Sequence, residues 1–249
     1  MNIFKFWGDI LKSERYFRQL IIPEIGEKGQ EKLSRSKVLI VGIGGLGSPV
    51  AFYLTAAGVG TIGLLDKDKI ELSNLQRQIL HSTTKIGMAK VFSAEQVLKE
   101  LNPEILINTY NEKIDETNVY DLIKKYDVVV AAVDNLNTRY LLNSACIKTG
   151  IPLVEGGVFN WDGTVHTIIK GQGPCYNCLY PQVKTNNPVP GVIGPIVGIV
   201  GSWQAMEVIK ILLGVGELLT DRMLLIDGLG SKVTELKVTI NDNCPVCSQ

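Results

Sequence analysis

The sequence predicts an α/β protein built on a mostly parallel sheet with helices on both faces. Two observations predict it. Continuous apolar runs, Val38 to Val41, Thr61 to Leu65 and Asp127 to Val133, alternate with stretches of helical composition, the pattern of buried parallel strands and their crossovers. The first run ends in Gly42-Ile43-Gly44-Gly45-Leu46-Gly47, a glycine turn of the kind that leads from a strand into a helix.

The elements follow in order. Tyr16 to Leu33 reads as two short amphipathic helices broken around Pro23 to Gly26, and residues 1–35 form an N-terminal helical segment. Val38 to Val41 is a strand, the glycine turn follows, and Ser48 to Ala57 is a helix ended by Gly58. The next strand stops at Asp66, 19 residues after Gly47, so a Rossmann-like βαβ unit is expected. Gly87 to Leu101 reads as helix, Ile105 to Tyr110 as strand, Thr117 to Lys125 as helix and Asp127 to Val133 as a further buried strand, with Asp134 at its tip. Leu136 to Thr149 reads as helix, Pro152 to Val158 as strand, and Asn160 to Gly163 as a turn into the alternating strand Thr164 to Ile169. Met223 to Asp227 and Lys232 to Ile240 complete an antiparallel extension of the sheet. Residues 36–249 are therefore read as one domain, with a nucleotide-binding half to about residue 150 and a second half from about 151.

Composition bounds the partners. The chain has 249 residues, 45% hydrophobic, and its 25 basic and 25 acidic residues cancel, which offers no general field for nucleic acid or an anionic membrane. The opening Met1 to Lys12 interrupts its apolar residues with charges and has no small-residue cleavage site, so it is not a signal peptide. Its Ile3, Trp7, Ile10 and Leu11 suit a helix face docked on its own or a neighbouring subunit. The apolar run Val189 to Gly214 contains Pro190, Pro195, Glu207 and Lys210 and fits a buried helix better than a membrane span. A cytoplasmic location is expected.

The chemistry concentrates on the strand tips. A glycine turn lets the backbone approach phosphate and aims helix amides at it, and Asp66 has the spacing of an acid that holds a nucleotide ribose. Beyond it come Asn74, Arg77 and Gln78. Hydride transfer needs no guanidinium there, whereas nucleotidyl transfer needs donors and cations for the charge developing on phosphate, which Arg77 and Lys90 could supply. Taken alone, Arg77 also fits a surface salt bridge. Asp134 is equally suited to Mg²⁺ or to capping the helix that follows.

Five cysteines include Cys175-Tyr176-Asn177-Cys178 and Cys244-Pro245-Val246-Cys247, two C-x-x-C pairs that suit a structural Cys₄ zinc site. Joining them closes a loop at a cost of about 4 kcal/mol, against roughly 10–16 kcal/mol from structural zinc. Cys146 is left inside a helix and reads as packing rather than as a nucleophile; His81 and His166 belong to no motif.

With these residues placed, the chain resembles the ThiF/MoeB/HesA family, relatives of ubiquitin-activating enzymes that adenylate the C-terminal glycine of a small ubiquitin-like sulfur carrier. The resemblance rests on Arg15-Tyr16-Phe17-Arg18-Gln19, the glycine turn, Asp66-Lys67-Asp68, Ser73 to Gln78, Gly87-Met88-Ala89-Lys90, Asp134-Asn135 and the paired cysteines. It implies that Asp66 holds the ATP ribose, that Gly42, Gly44, Gly45 and Gly47 with Asn74, Arg77, Gln78, Lys90 and Asn135 line the ATP site, and that Asp134 serves Mg²⁺. It further implies a homodimer in which Arg18 reaches the partner's nucleotide, and zinc on Cys175, Cys178, Cys244 and Cys247.

The resemblance also implies that Pro181 to Pro190 covers or guides the carrier's tail. Relatives that form a thioester or persulfide carry a cysteine in that crossover, and Leu179 to Ile193 has none, so a separate sulfur donor enzyme is expected, as is the lack of room after Cys247 for a sulfurtransferase domain. The missing cysteine tilts the pathway toward molybdopterin over thiamine or tRNA thiolation. Two alternatives stand beside this reading: an NAD-dependent oxidoreductase using the same glycine turn, and a noncatalytic scaffold subunit.

Overall fold

A computed structural model describes residues 14–181 and 191–248 of the chain. The expectations for Met1 to Lys12, for the start of the Val189 to Gly214 run and for nearly all of the Pro181 to Pro190 loop lie outside the described residues.

Eight strands form one sheet in the order β3-β2-β1-β4-β5-β6-β7-β8. Five are parallel: β1 (Lys37–Val41), β2 (Thr61–Leu65), β3 (Leu106–Tyr110), β4 (Val128–Ala131) and β5 (Leu153–Phe159). The remaining three, β6 (Asp162–Ile168), β7 (Arg222–Asp227) and β8 (Lys232–Lys237), continue it antiparallel. The chain runs outward from β1 through β2 to β3 and returns to place β4 on the other side of β1. That reversal opens a crevice between β1 and β4 at their carboxyl ends, the position at which open α/β sheets take ligands.

Side-chain alternation along the strands divides the core. Val38 and Ile40 of β1, with Val128 and Val130 of β4, join a layer containing α2 (Gly26–Arg35), α3 (Gly47–Ala56), α4 (Lys90–Leu101) and α8 (Gly194–Leu213). Leu39, Val41, Val129 and Ala131 face the opposite layer, built from α5 (Val119–Ile123), α6 (Leu136–Thr149) and α7 (Tyr176–Leu179). A further helix, α1 at residues 14–20, docks through Tyr16, whose ring lies against Gly58 and whose hydroxyl accepts from Asn102 Nδ2 at 2.8 Å.

α8 is the longest helix among the described residues. Pro195 stands in its first turn and Gly214, with φ +74°, caps its end. It passes the length and hydropathy test for a membrane span. Its Ile196, Val197, Val200, Val208 and Leu212 belong to the core against the sheet, and Glu207 within it is fully buried, so it serves as a core helix.

Three boundaries differ from the sequence reading, each for a physical reason. The helix expected from Gly87 begins at Lys90, because Gly87 turns at φ +86° and residues 87–89 pair with Lys69 and Ile70. The turn expected at Asn160 to Gly163 is a two-residue loop, Asn160-Trp161, with Asn160 at φ +52°. Gly163 is a strand residue, paired with Val158 and Ile226, and it is glycine because a Cβ there would lie 2.4 Å from Val200 Cγ2. The helix expected over Thr117 to Lys125 forms only from Val119 to Ile123, after a turn in which Asp115 and Asn118 bond neighbouring backbone.

Two glycines of α8 test this packing. A Cβ on Gly198 meets nothing within 4 Å, whereas one on Gly201 would lie 2.4 Å from Pro49 Cγ and 2.6 Å from the Leu46 carbonyl. Urea denaturation should therefore show Gly198→Ala stabilised by about 1 kcal/mol through helix propensity and Gly201→Ala destabilised by about 1–3 kcal/mol through overpacking.

Candidate nucleotide site and cysteine cluster

The crevice between β1 and β4 is narrow at the backbone level. Gly42 leaves β1 at φ +94°, and a Cβ on it would stand 2.5 Å from the Ala132 carbonyl oxygen. One on Gly47 would stand 2.0 Å from the Gly42 carbonyl oxygen. Both positions accept only glycine, for conformation at 42 and for space at both. Gly44 and Gly45 are partly exposed, with Gln78 Nε2 above the first and Val197 and the Arg77 stem above the second. The turn therefore presents bare backbone at the amino end of α3, where a helix favours anions.

Asp66 closes one side of the crevice. Its Oδ2 accepts from the Ile43 amide at 2.8 Å and its Oδ1 from the Asp68 amide at 2.8 Å. Each carboxylate oxygen retains a further lone-pair direction, so the acid can brace the glycine turn and still accept from a hydroxyl. Lys90, 6% exposed at the start of α4, holds Nζ 3.2 Å from Asp68 Oδ2 and 3.9 Å from Asp66 Oδ2. The pairing of residues 87–89 with 69–70 delivers this lysine to the crevice.

The segment between them turns back on itself. Asn74 Oδ1 accepts from the Glu71 amide at 3.2 Å, which leaves its Nδ2 as the available donor. Arg77 Nη1 donates to the Ser73 carbonyl at 3.1 Å, so the guanidinium is oriented by its own turn and makes no salt bridge among the described residues. Gln78 is 5% exposed and its buried Oε1 has no hydrogen-bond partner among the described residues. Its Nε2, the donor, is the atom that lies nearest Gly44.

Asp134 follows the end of β4 and is exposed. The helix cap is supplied by Asn135, whose Oδ1 accepts from the Thr138 amide at 2.9 Å, so the capping alternative for Asp134 does not hold. Asn135 is thereby engaged through its oxygen. The loop carrying Asp134 is tied by Arg139, which donates to the Val133 carbonyl at 2.6 Å and the Gly156 carbonyl at 2.9 Å and pairs with buried Glu155. Sequence reading missed this pair, and only the register that sets Ala131 beside Glu155 reveals it. It also missed the amino end of α8: a Cβ on Gly194 would lie 2.6 Å from the Gln76 carbonyl, so this helix start supports the Asn74 to Gln78 turn from below.

Arg18 stands apart. It is exposed on α1, whose Arg15 and Tyr16 bond Leu101 and Asn102 at the far end of α4 from Lys90. At a rise of 1.5 Å per residue those two ends of α4 are about 16 Å apart.

The four predicted cysteines meet. The Sγ atoms of Cys175, Cys178, Cys244 and Cys247 all lie within 4.8 Å of one another, with near pairs at 3.9, 3.6 and 3.3 Å. A tetrahedron with zinc–sulfur bonds of about 2.3 Å has edges of about 3.8 Å, so the set fits such an ion. The Asn241 amide points at Cys178 Sγ from 3.5 Å, the outer-shell contact expected of a thiolate. Cys146 lies elsewhere, packed against the sheet in α6, and burial pushes its thiol up to about 12. A thiol so held is not a nucleophile near neutral pH.

Known proteins resemble this chain in sequence and in fold. The chain is 46% identical over 241 residues to the adenylyltransferase and sulfurtransferase MOCS3 of Dictyostelium discoideum, covering 94% of this chain and 57% of that protein, so it spans little more than half of that relative. It is 43% identical over 244 residues to the sulfur carrier protein adenylyltransferase of Thermus thermophilus, covering 94% of this chain and 90% of the relative. Among solved structures, E. coli MccB with ATP superposes with a TM-score of 0.84 at 26% identity, over 94% of this chain and 75% of that one. The ThiF family model matches residues 16–246, and the chain belongs to the ThiF family.

Proposed function

We propose that the protein adenylates the C-terminal glycine carboxylate of a small ubiquitin-like sulfur carrier, using ATP and releasing pyrophosphate. The observation that carries this reading is the convergence of the glycine turn, Asp66, Arg77, Gln78 and Lys90 on one crevice, where sequence alone placed them on separate segments. The names of its relatives agree: the Thermus protein is a sulfur carrier protein adenylyltransferase, and MccB takes ATP.

The chemistry needs little from the protein beyond position and charge. Asp66 holds the ribose, the turn from Gly42 to Gly47 approaches the phosphates, and Asn74 Nδ2, Arg77, Gln78 and Lys90 surround them. A carboxylate oxygen of the carrier forms a bond to the α-phosphorus while the bond from that phosphorus to the bridging oxygen breaks, and pyrophosphate leaves. The carboxylate is already ionised, so no general base is required. Asp134 would hold Mg²⁺, which neutralises phosphate charge. Lys90 Nζ lies between Asp66 and Asp68, and those acids hold it at the crevice.

Arg18 enters through a homodimer. Its place on the exposed side of α1, by the end of α4 opposite Lys90, is compatible with the partner's crevice as its target, where a guanidinium adds to the charge stabilisation. The cysteine cluster would hold a structural zinc that ties the tail to the segment before α7 and supplies no open coordination position. The carrier's sulfur comes from a separate enzyme, and molybdopterin is the pathway that a purely adenylating enzyme fits. A cytoplasmic location goes with this reading, since thiols such as those of the cysteine cluster stay reduced there.

Pyrophosphate exchange into ATP, dependent on a purified carrier and followed by the carrier's gain of an adenylate mass, tests the reading; no exchange with any carrier that ends in Gly-Gly overturns it. Asp134→Asn should lower exchange by about 10²-fold or more with an unchanged melting temperature, since its side chain is exposed and caps nothing. Cys146→Ala should leave exchange within about twofold of wild type, as expected for a packing residue. Mixing Arg18→Ala with Arg77→Ala subunits should restore about a quarter of wild-type exchange, because half of the dimers are mixed and each has one whole site. Native mass spectrometry should find one zinc per chain, lost in Cys247→Ser together with a fall in melting temperature.

A further inference from the structure

The glycine turn has a second brace that the chemistry above does not use. His81 is 7% exposed on the loop between the Asn74 to Gln78 turn and α4. Its Nε2 lies 2.9 Å from the Ile43 carbonyl oxygen and its Nδ1 3.1 Å from Ser93 Oγ. A carbonyl can only accept, so Nε2 carries the proton and Nδ1 is the acceptor, which the serine hydroxyl satisfies. Burial holds the ring's pKa below the usual histidine value, reinforced by Lys90 and Lys85 and opposed by the Ile43 bond and Asp66. The ring is therefore neutral and in one tautomer at neutral pH.

We infer that His81 is a positioning residue for ATP, acting by clamping the Ile43 peptide of the glycine turn. The amide of Ile43 donates to Asp66 Oδ2 and its carbonyl accepts from His81, so the residue is gripped at both polar groups. Such a grip matters because the turn is glycine-rich: the absence of side chains that lets backbone reach phosphate also leaves the backbone loose. Ser93 stands one turn beyond Lys90 on α4, and its carbonyl accepts from Lys85 Nζ at 3.3 Å. His81 therefore couples the turn that approaches the phosphates to the helix that carries the phosphate cation.

This inference rests on the adenylation reading, in that the crevice takes ATP. Calorimetric titration of ATP into the full chain, without carrier, tests it. His81→Phe, which fills the space without a donor, should weaken ATP binding by about tenfold, the scale of one lost hydrogen bond. His81→Gln, which retains an amide donor, should recover to within about threefold of wild type. In pyrophosphate exchange the KM for ATP should rise in His81→Phe while the KM for the carrier stays unchanged, a split that general loss of packing would not produce.

A folded His81→Phe that binds ATP as tightly as wild type overturns the inference alone, as does a His81→Gln as weak as His81→Phe. If His81→Phe does not fold, the smaller His81→Leu carries the test, since it likewise removes the donor to the Ile43 carbonyl; unchanged ATP affinity there overturns the proposal. Wild-type protein that binds no ATP overturns the adenylation reading, and this inference with it.

Discussion

The site depends on the backbone of residue 42 passing the carbonyl of Ala132. β1 and β4 run parallel and in register as far as Val41 and Ala131, and their continuations diverge around that contact. With any side chain at 42 or 47, the turn would be driven away from β4 and the amino end of α3 with it. In the proposed function, Asp66 and the residues proposed to bind phosphate depend on this contact, which brings a bare stretch of backbone beside them.

The charges around the crevice are arranged to avoid isolation. Lys90 is buried, and Asp68 and Asp66 stand beside its side-chain nitrogen as partners. Asp66 in turn accepts two amide hydrogens, and these hold its carboxylate toward the glycine turn. The same carboxylate that orders the turn is therefore placed to meet the ligand, so structure and recognition share atoms. Arg139 and Glu155 form a comparable buried pair beneath the Asp134 loop. Removing either partner of such a pair would strand the other without solvent.

α8 links the two halves of the sheet. Gln204 donates to the Ala131 and Val154 carbonyls of β4 and β5, while the buried Glu207 accepts from Thr167 and the Leu219 amide and pairs with Lys210. Its first turn supports the Arg77 segment through Gly194, and its third lies against the glycine turn's helix through Gly201. A helix with the composition of a membrane span thus becomes the core element that joins the crevice to the antiparallel strands, because its few polar side chains are answered by the sheet and its connections.

By itself the sequence determined the parallel strands, the glycine turn, the place of Asp66 at a strand end and the pairing of the four cysteines, because each is written locally: strands as apolar runs, the turn as glycines, the cysteine pairs as a spacing. Tertiary structure decided what local pattern cannot carry. Only the fold showed that Asn135 and not Asp134 caps α6, since either residue type caps and the geometry chooses between them. Only pairing between residues 69–70 and 87–89 moved the start of α4 to Lys90. His81 and Arg139 belong to no motif, and their meaning lies in carbonyls 38 and 6 residues away along the chain that the sheet's topology brings to them. Local pattern names the groups that chemistry requires; long-range backbone contacts decide which of them face one another.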